Sequence, residues 1–184
     1  MKKYLMAATA LMLLTVSSVS LTACSSDDDD NTSNPATDTT PVAAVMDYAL
    51  TVGDDMLKTL NLTVEYYDTD GNMQTEALTA KEWKKSIKTK LPATLGLRLK
   101  AQLKDGIAPA TIETFTAAYS YSYSGYAVSA TDKVVGNVVN YGTESTLAMQ
   151  GDKIPTWLEH HADGLVKFLY TFAANGQATS SSWQ

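Results

Sequence analysis

The chain has little of several things that would assign it to a familiar chemistry. It holds one cysteine, Cys24, and two histidines, His160 and His161, which are adjacent. A single thiol excludes a disulfide framework within the chain. Neighbouring histidines on a helix point about 100° apart, so they do not share a metal. His160 and Asp163, spaced i, i+3, could meet on one helix face, but two ligands without a third make no site, and no metal or cofactor is expected. With no Gly-x-Ser-x-Gly motif and no separated histidine, no nucleophile–base pair is visible. The chain therefore reads as non-catalytic, with paired-carboxylate glycosidase chemistry, which spacing does not reveal, as the hydrolase alternative. Basic residues are also scarce, 14 against 20 acidic, a net charge of −6. Nucleic acid is not expected as a partner, because no basic patch is available to neutralise phosphates.

Long hydrophobic runs are absent except at the start. Met1-Lys2-Lys3 is a short basic segment, residues 4–16 are nearly all apolar, and small residues lead up to Ala23. This is the pattern of a secretory signal peptide. A membrane span needs roughly 20 apolar residues, and serines close this run earlier.

Leu21-Thr22-Ala23-Cys24 follows directly and resembles a bacterial lipobox, in which the cysteine is lipidated and the chain is cut before it. Ser25, Ser26, Asp27, Asp28, Asp29 and Asp30 are similar to the export tract of Bacteroidetes-type surface lipoproteins. That resemblance implies a lipid anchor on Cys24 as the membrane attachment, and an outer-membrane location facing the cell exterior. A multi-chain lipid is a firm tether where a single chain is marginal. Cleavage before Cys24 would leave 161 of 184 residues and remove Lys2 and Lys3, leaving 12 basic residues against 20 acidic. Residues 31–41, Asn-Thr-Ser-Asn-Pro-Ala-Thr-Asp-Thr-Thr-Pro, hold nothing apolar larger than alanine or proline. Such a segment cannot bury enough surface to order itself. The expected organisation is a signal peptide over 1–23, an acidic stalk over 24–41 and one domain over 42–184.

Within that domain, alternation of apolar and polar residues dominates, the signature of half-buried strands. It predicts strands over 45–52, 60–67, 73–79, 93–104, 111–124 and 165–172. Residues 82–91 suit either a helix or a strand, with strand preferred. The Asp68–Asn72 stretch contains Asp-Gly and reads as a hairpin turn. Its carboxylates do not complete a calcium loop, since Met73 and Thr79 stand where glycine and glutamate are needed. Residues 125–151 show little pattern beyond a short extended piece. Residues 153–162 suit one short helix, with Thr156 to Glu159 after Pro155, and Asn175-Gly176 predicts a turn from which 178–183 pairs back. Many short strands with turns between them predict an all-β fold, an antiparallel β-sandwich. An immunoglobulin-like Greek key is the first expectation, and a jelly roll or small barrel the alternative.

The most suggestive feature is a run of tyrosines, Tyr119, Tyr121, Tyr123 and Tyr126, alternating with serines. Tyrosine offers a rigid apolar face with a polar tip, which suits a binding surface. Exposed, the row would be a carbohydrate-binding platform, with Tyr123 and Tyr126 nearest the strand end expected to emerge. Covered, it is core, as its shared parity with Phe115 and Ala117 favours. Arg98, Lys100 and Lys104 are expected on a solvated sheet face, with contact to acidic polysaccharide as the alternative use. The functional expectation is a surface lipoprotein whose sandwich binds an extracellular ligand, a glycan first. The rival is a structural or accessory subunit joined to a surface protein.

Overall fold

The structure is a computed structural model, and it describes residues 38–183. Cys24 and the Ser25–Asp30 tract lie outside the described residues. The elements run β1 (Ala43–Val52), α1 (Asp54–Thr59), β2 (Leu60–Tyr67), β3 (Met73–Leu78), β4 (Glu82–Lys90), β5 (Ala93–Leu103), β6 (Phe115–Val128), β7 (Val134–Met149), α2 (Ile154–His160), β8 (Val166–Phe172) and β9 (Ala178–Ser181). All pairings are antiparallel. They form a four-stranded sheet in the order β4-β1-β6-β7 and a five-stranded sheet in the order β3-β2-β5-β8-β9. The expected all-β sandwich is what the chain forms. β4 returns beside β1 after the β2–β3 hairpin has been made in the opposite sheet, a Greek-key return wrapped over two layers.

The core lies where the two inner faces meet. Leu60, Leu62 and Val64 of β2 and Leu95, Leu97 and Leu99 of β5 are buried against Met46, Tyr48, Leu50 and Val52 of β1 and Phe115 and Ala117 of β6. Strict alternation in these strands is what lets one parity fill the interlayer space while the other meets water. Burying chains of this size contributes roughly 1.5–3 kcal/mol each.

Three expectations need correction. No element is predicted between the strands over 45–52 and 60–67, yet the chain forms a helix there, α1, whose Asp54 and Asp55 complement the positive helix N-terminus. Asp55 Oδ2 also accepts the Thr116 backbone N–H at 3.0 Å, which pins α1 to the start of β6. The poorly patterned 125–151 stretch holds the end of β6 and all of β7, at 16 residues the longest strand of the described residues. β7 lies at a sheet edge and is mostly exposed on both faces, so nothing requires apolar residues to alternate along it. Finally, Arg98 is not on a solvated face. Its side chain is 13 % exposed and holds Glu65, 11 % exposed, through Nη2 at 2.6 Å and Nε at 2.7 Å. The Trp183 ring covers the guanidinium at 4.8 Å. Lys100 adds a 3.0 Å contact to the other Glu65 oxygen, and Lys104 donates to the Leu57 carbonyl at 2.5 Å.

The two sheets are closed differently along their two sides. On the β3/β4 side, Glu76 of β3 accepts from Tyr66 at 2.5 Å and from Trp83 of β4 at 2.9 Å, and it pairs with Lys85 of β4. These contacts stitch the edges together. On the β7/β9 side, the Asn137 side chain donates to the Ala178 carbonyl at 3.2 Å and accepts its N–H at 2.8 Å. Beside it, Gly136 at φ +82 meets the Gly176 backbone so closely that a Cβ would lie 2.7 Å from the Gly176 oxygen. Only glycine allows both that conformation and that approach.

Candidate functional site

Beyond the Asn137 closure the β7 and β9 edges enclose a cleft of about 370 Å³. Tyr121, Tyr123, Tyr141, Phe168, Tyr170 and Trp183 line it together with Lys167, Leu169 and the three serines Ser180–Ser182. Its size falls within the range of small-ligand sites.

The floor is built by strand register. β6 and β7 place Tyr123 opposite Tyr141 and Tyr121 opposite Thr143, all on the inner face. β8 brings Phe168 across from the other sheet. The Phe168 ring stacks on Tyr123 with centroids 3.9 Å apart and on Tyr121 at 6.0 Å with 13° between planes. Tyr141 leans over both, 5.8 Å from Tyr121 and 6.1 Å from Tyr123, and is 51 % exposed. The hydroxyls of Tyr123 and Tyr170 hydrogen-bond at 2.9 Å. Burial, then the neighbouring Tyr170 hydroxyl, pushes the Tyr123 phenol well above its ordinary value. Burial and the adjacent Tyr141 and Tyr119 raise Tyr121 likewise. The phenols at the floor are therefore neutral hydroxyl groups at physiological pH, able to donate and accept.

At the rim, Trp183 donates from Nε1 to the Phe168 carbonyl at 3.1 Å and stacks on Tyr67 at 5.5 Å, which fixes its ring. Lys167 is held by Asp163, and Asp163 also receives Arg98 Nη1 at 3.3 Å. The cleft thus offers rings and hydroxyls, with Lys167 already engaged. Fixed aromatic faces with hydroxyls around them can stack on an apolar ring face and hydrogen-bond its polar edge.

The four sequence-chosen tyrosines do not form one row. Tyr121 and Tyr123 enter the cleft. Tyr119 shares their face but its hydroxyl donates to the Leu165 carbonyl at 3.4 Å, away from the opening. Tyr126 has the opposite parity and lies on the other face, donating to Asp47 at 3.3 Å. On the platform reading Tyr123 would emerge, yet it is 9 % exposed. It sits at mid-sheet between Tyr48 of β1 and Tyr141 of β7, and β8 covers it. Sequence reasoning missed Tyr141, Tyr170, Trp183 and the serines as site residues. The inner parity of Phe168 and Tyr170 was visible, but Tyr141 lies in the strand that had no pattern.

The other candidates have structural partners. Asp68 accepts the Asp70 and Asn72 backbone N–H groups at 2.9 and 2.8 Å and the Gln74 side chain at 2.6 Å, which shapes the hairpin. The resulting hydrogen bonds hold its carboxyl below the usual range. His161 Nδ1 meets the Trp157 carbonyl at 2.8 Å. Among the described residues no three His, Cys, Asp or Glu side chains gather around a common point. A second recess, about 490 Å³ between Tyr67, Asp70, Lys90 and Pro92, carries one aromatic ring, and that ring is already stacked on Trp183. No helix among the described residues is long and apolar enough to cross a membrane. No family model, curated protein or solved structure matches the chain.

Proposed function

We propose that the protein is a lipid-anchored outer-membrane lipoprotein, facing the cell exterior, whose sandwich binds a glycan in the β7/β9 cleft without catalysing its cleavage. The observation that carries the reading is the cleft itself. Six aromatic rings converge with serine and tyrosine hydroxyls in a concave space. That is the surface chemistry a pyranose asks for, since its carbon-bound hydrogens present an apolar face and its hydroxyls a polar rim. No carboxylate belongs to the cleft lining among the described residues, so the reading assigns no acid–base pair. The location rests on the lipobox resemblance at Cys24 and the acidic tract after it.

The test is electrophoresis of the lipid-free chain, residues 25–184, through gels containing a panel of host and plant polysaccharides. Retardation by one glycan is expected, weakened about tenfold or more by Tyr141→Ala or Trp183→Ala, because losing one stacked ring costs about 1.4 kcal/mol. Uniform mobility across the panel, or retardation indifferent to both substitutions, would reject the glycan. Anchoring is tested separately by metabolic labelling with palmitate, which Cys24→Ala should abolish.

The rival reading, an accessory subunit of a surface assembly, asks for an unguarded sheet edge. β7 supplies one.

A further inference from the structure

The two sheets have four edge strands, and three carry recognisable guards against pairing with another chain. β4 bears Lys84, Lys85, Lys88 and Lys90. β3 has its Glu76 tied across to β4. β9 is only four residues long. Charge, covering contacts and shortness are the usual devices that blunt an edge. β7 is tied across at Asn137 and its register shifts between Val135 and Val139, but the run beyond has no such guard: over its 16 residues β7 contains no proline, no lysine and no arginine, and one charge, Glu144. From 138 to 148 every residue except Val139 and Ser145 is exposed, including Val138, Tyr141 and Leu147 at about half of their surface.

We propose that β7 pairs antiparallel with β7 of a second copy of this chain, about a two-fold axis at Thr143. The argument for a second copy is the self-complementarity of the strand about that residue. A two-fold normal to the sheet brings residues of equal parity opposite one another. With Thr143 opposite itself, Val139 faces Leu147, Val138 faces Ala148, and the pairs between them carry hydroxyls or an amide, apart from Gly142. Apolar then meets apolar and polar meets polar, the pairing that favours a ladder. Glu144 falls opposite Gly142, so the two carboxylates are not opposed. Sliding by one step in one direction puts Glu144 opposite Glu144. Sliding the other way puts Val138 opposite Thr146 and Val139 opposite Ser145. Of these three registers, the one centred on Thr143 avoids both faults.

The consequence reaches the cleft. Tyr141 lies on the inner face two residues from the axis, so both cleft mouths open beside the junction and a polymeric ligand meets two sites at once. The pairing itself does not depend on what the cleft binds.

The experiment is sedimentation equilibrium of the lipid-free chain, residues 25–184, over a range of concentrations. A reversible dimer is expected. Gly142→Glu places two pairs of carboxylates opposite each other and should weaken the dimer by about tenfold. Gly142→Lys places lysines opposite Glu144 and should tighten it at low salt, the gain fading at high salt. The site tolerates a side chain, since a Cβ there would lie 3.4 Å from the Ser122 Cβ, an ordinary contact. If Gly142→Glu fails to fold, cysteine cross-linking decides: in this cysteine-free chain Thr143→Cys should form a disulfide-linked dimer on mild oxidation, and Asn140→Cys should not. A monomer at every concentration overturns the inference. So does a dimer that ignores both charges at position 142. The glycan test uses other variants, so neither result decides the other.

Discussion

Replacing Arg98 by methionine tests the energetics of the outer face of the five-stranded sheet. In the native chain Arg98 places two nitrogens on one Glu65 oxygen, under the Trp183 ring, with both side chains nearly buried. Burial alone would raise the Glu65 carboxyl, but hydrogen bonds from Lys100 and Arg98 outweigh it and hold the carboxyl below its ordinary 4.5. Methionine keeps most of the volume under Trp183 and removes the charge. Breaking a buried pair from one side costs about 3–5 kcal/mol, because the remaining charge stays desolvated. Lys100 remains 3.0 Å from Glu65, though more exposed, so the expected loss is about 2–3 kcal/mol at pH 7. For a domain of this size that lowers Tm by about 5–10 °C. A native carboxyl with depressed pKa contributes stability above its unfolded value of 4.5, and loses it as pH falls through the folded value. Below that point a protonated Glu65 no longer needs the guanidinium. The gap between native and variant should therefore be smaller at pH 3 than at pH 7. Urea titration at both pH values measures it. A variant as stable as the native chain at pH 7, or equally damaged at both pH values, would refute the reasoning.

Three further outcomes can be checked on the same domain. The Tyr48 hydroxyl is buried with no hydrogen-bond partner within 3.5 Å among the described residues, and burial pushes its phenol far up. Tyr48→Phe should leave stability unchanged or raise it by about 1 kcal/mol in urea unfolding, since an orphaned polar group costs about that much or more. A Cβ on Gly96 would lie 2.4 Å from the Phe168 carbonyl oxygen in the adjoining strand, so Gly96→Ala should cost about 3 kcal/mol or more and loosen the β5–β8 pairing, seen as faster amide exchange in β8. Lys85 and Tyr66 hold the Glu76 carboxyl near 2, so its contribution is complete above about 4.5 and is lost as pH falls towards 2. The Glu76 side chain is 39 % exposed and solvent screens the pair, so Glu76→Gln should cost about 1 kcal/mol at pH 7 and nearly nothing at pH 2, by thermal unfolding.

Local order was legible wherever one parity of a strand had to be apolar. Residues 60–67 and 93–104 show it plainly, and β2 and β5 lie there. The Asp-Gly and Asn-Gly turns were legible because a tight hairpin needs a positive φ, which Gly71 and Gly176 adopt. Residues 82–91, equally good as helix or strand, became β4 because β1 offers a full edge to pair with. β7 was illegible for the opposite reason, as an edge strand that answers to no core.

The sequence by itself determined which residues share a face, because a strand repeats every two residues. It therefore decided the β-sandwich class, the hairpins, and the grouping of Tyr119, Tyr121 and Tyr123 on one side and Tyr126 on the other. It did not determine what lies across from that face. Whether a tyrosine is core or platform depends on the opposite layer, and that layer is supplied by residues far away in the chain. Only the tertiary structure brings Phe168 and Tyr170 over Tyr123, sets Tyr141 at the rim, and swings Trp183 onto Arg98. Periodicity is local and burial is not, so the cleft belongs to the fold rather than to any one strand.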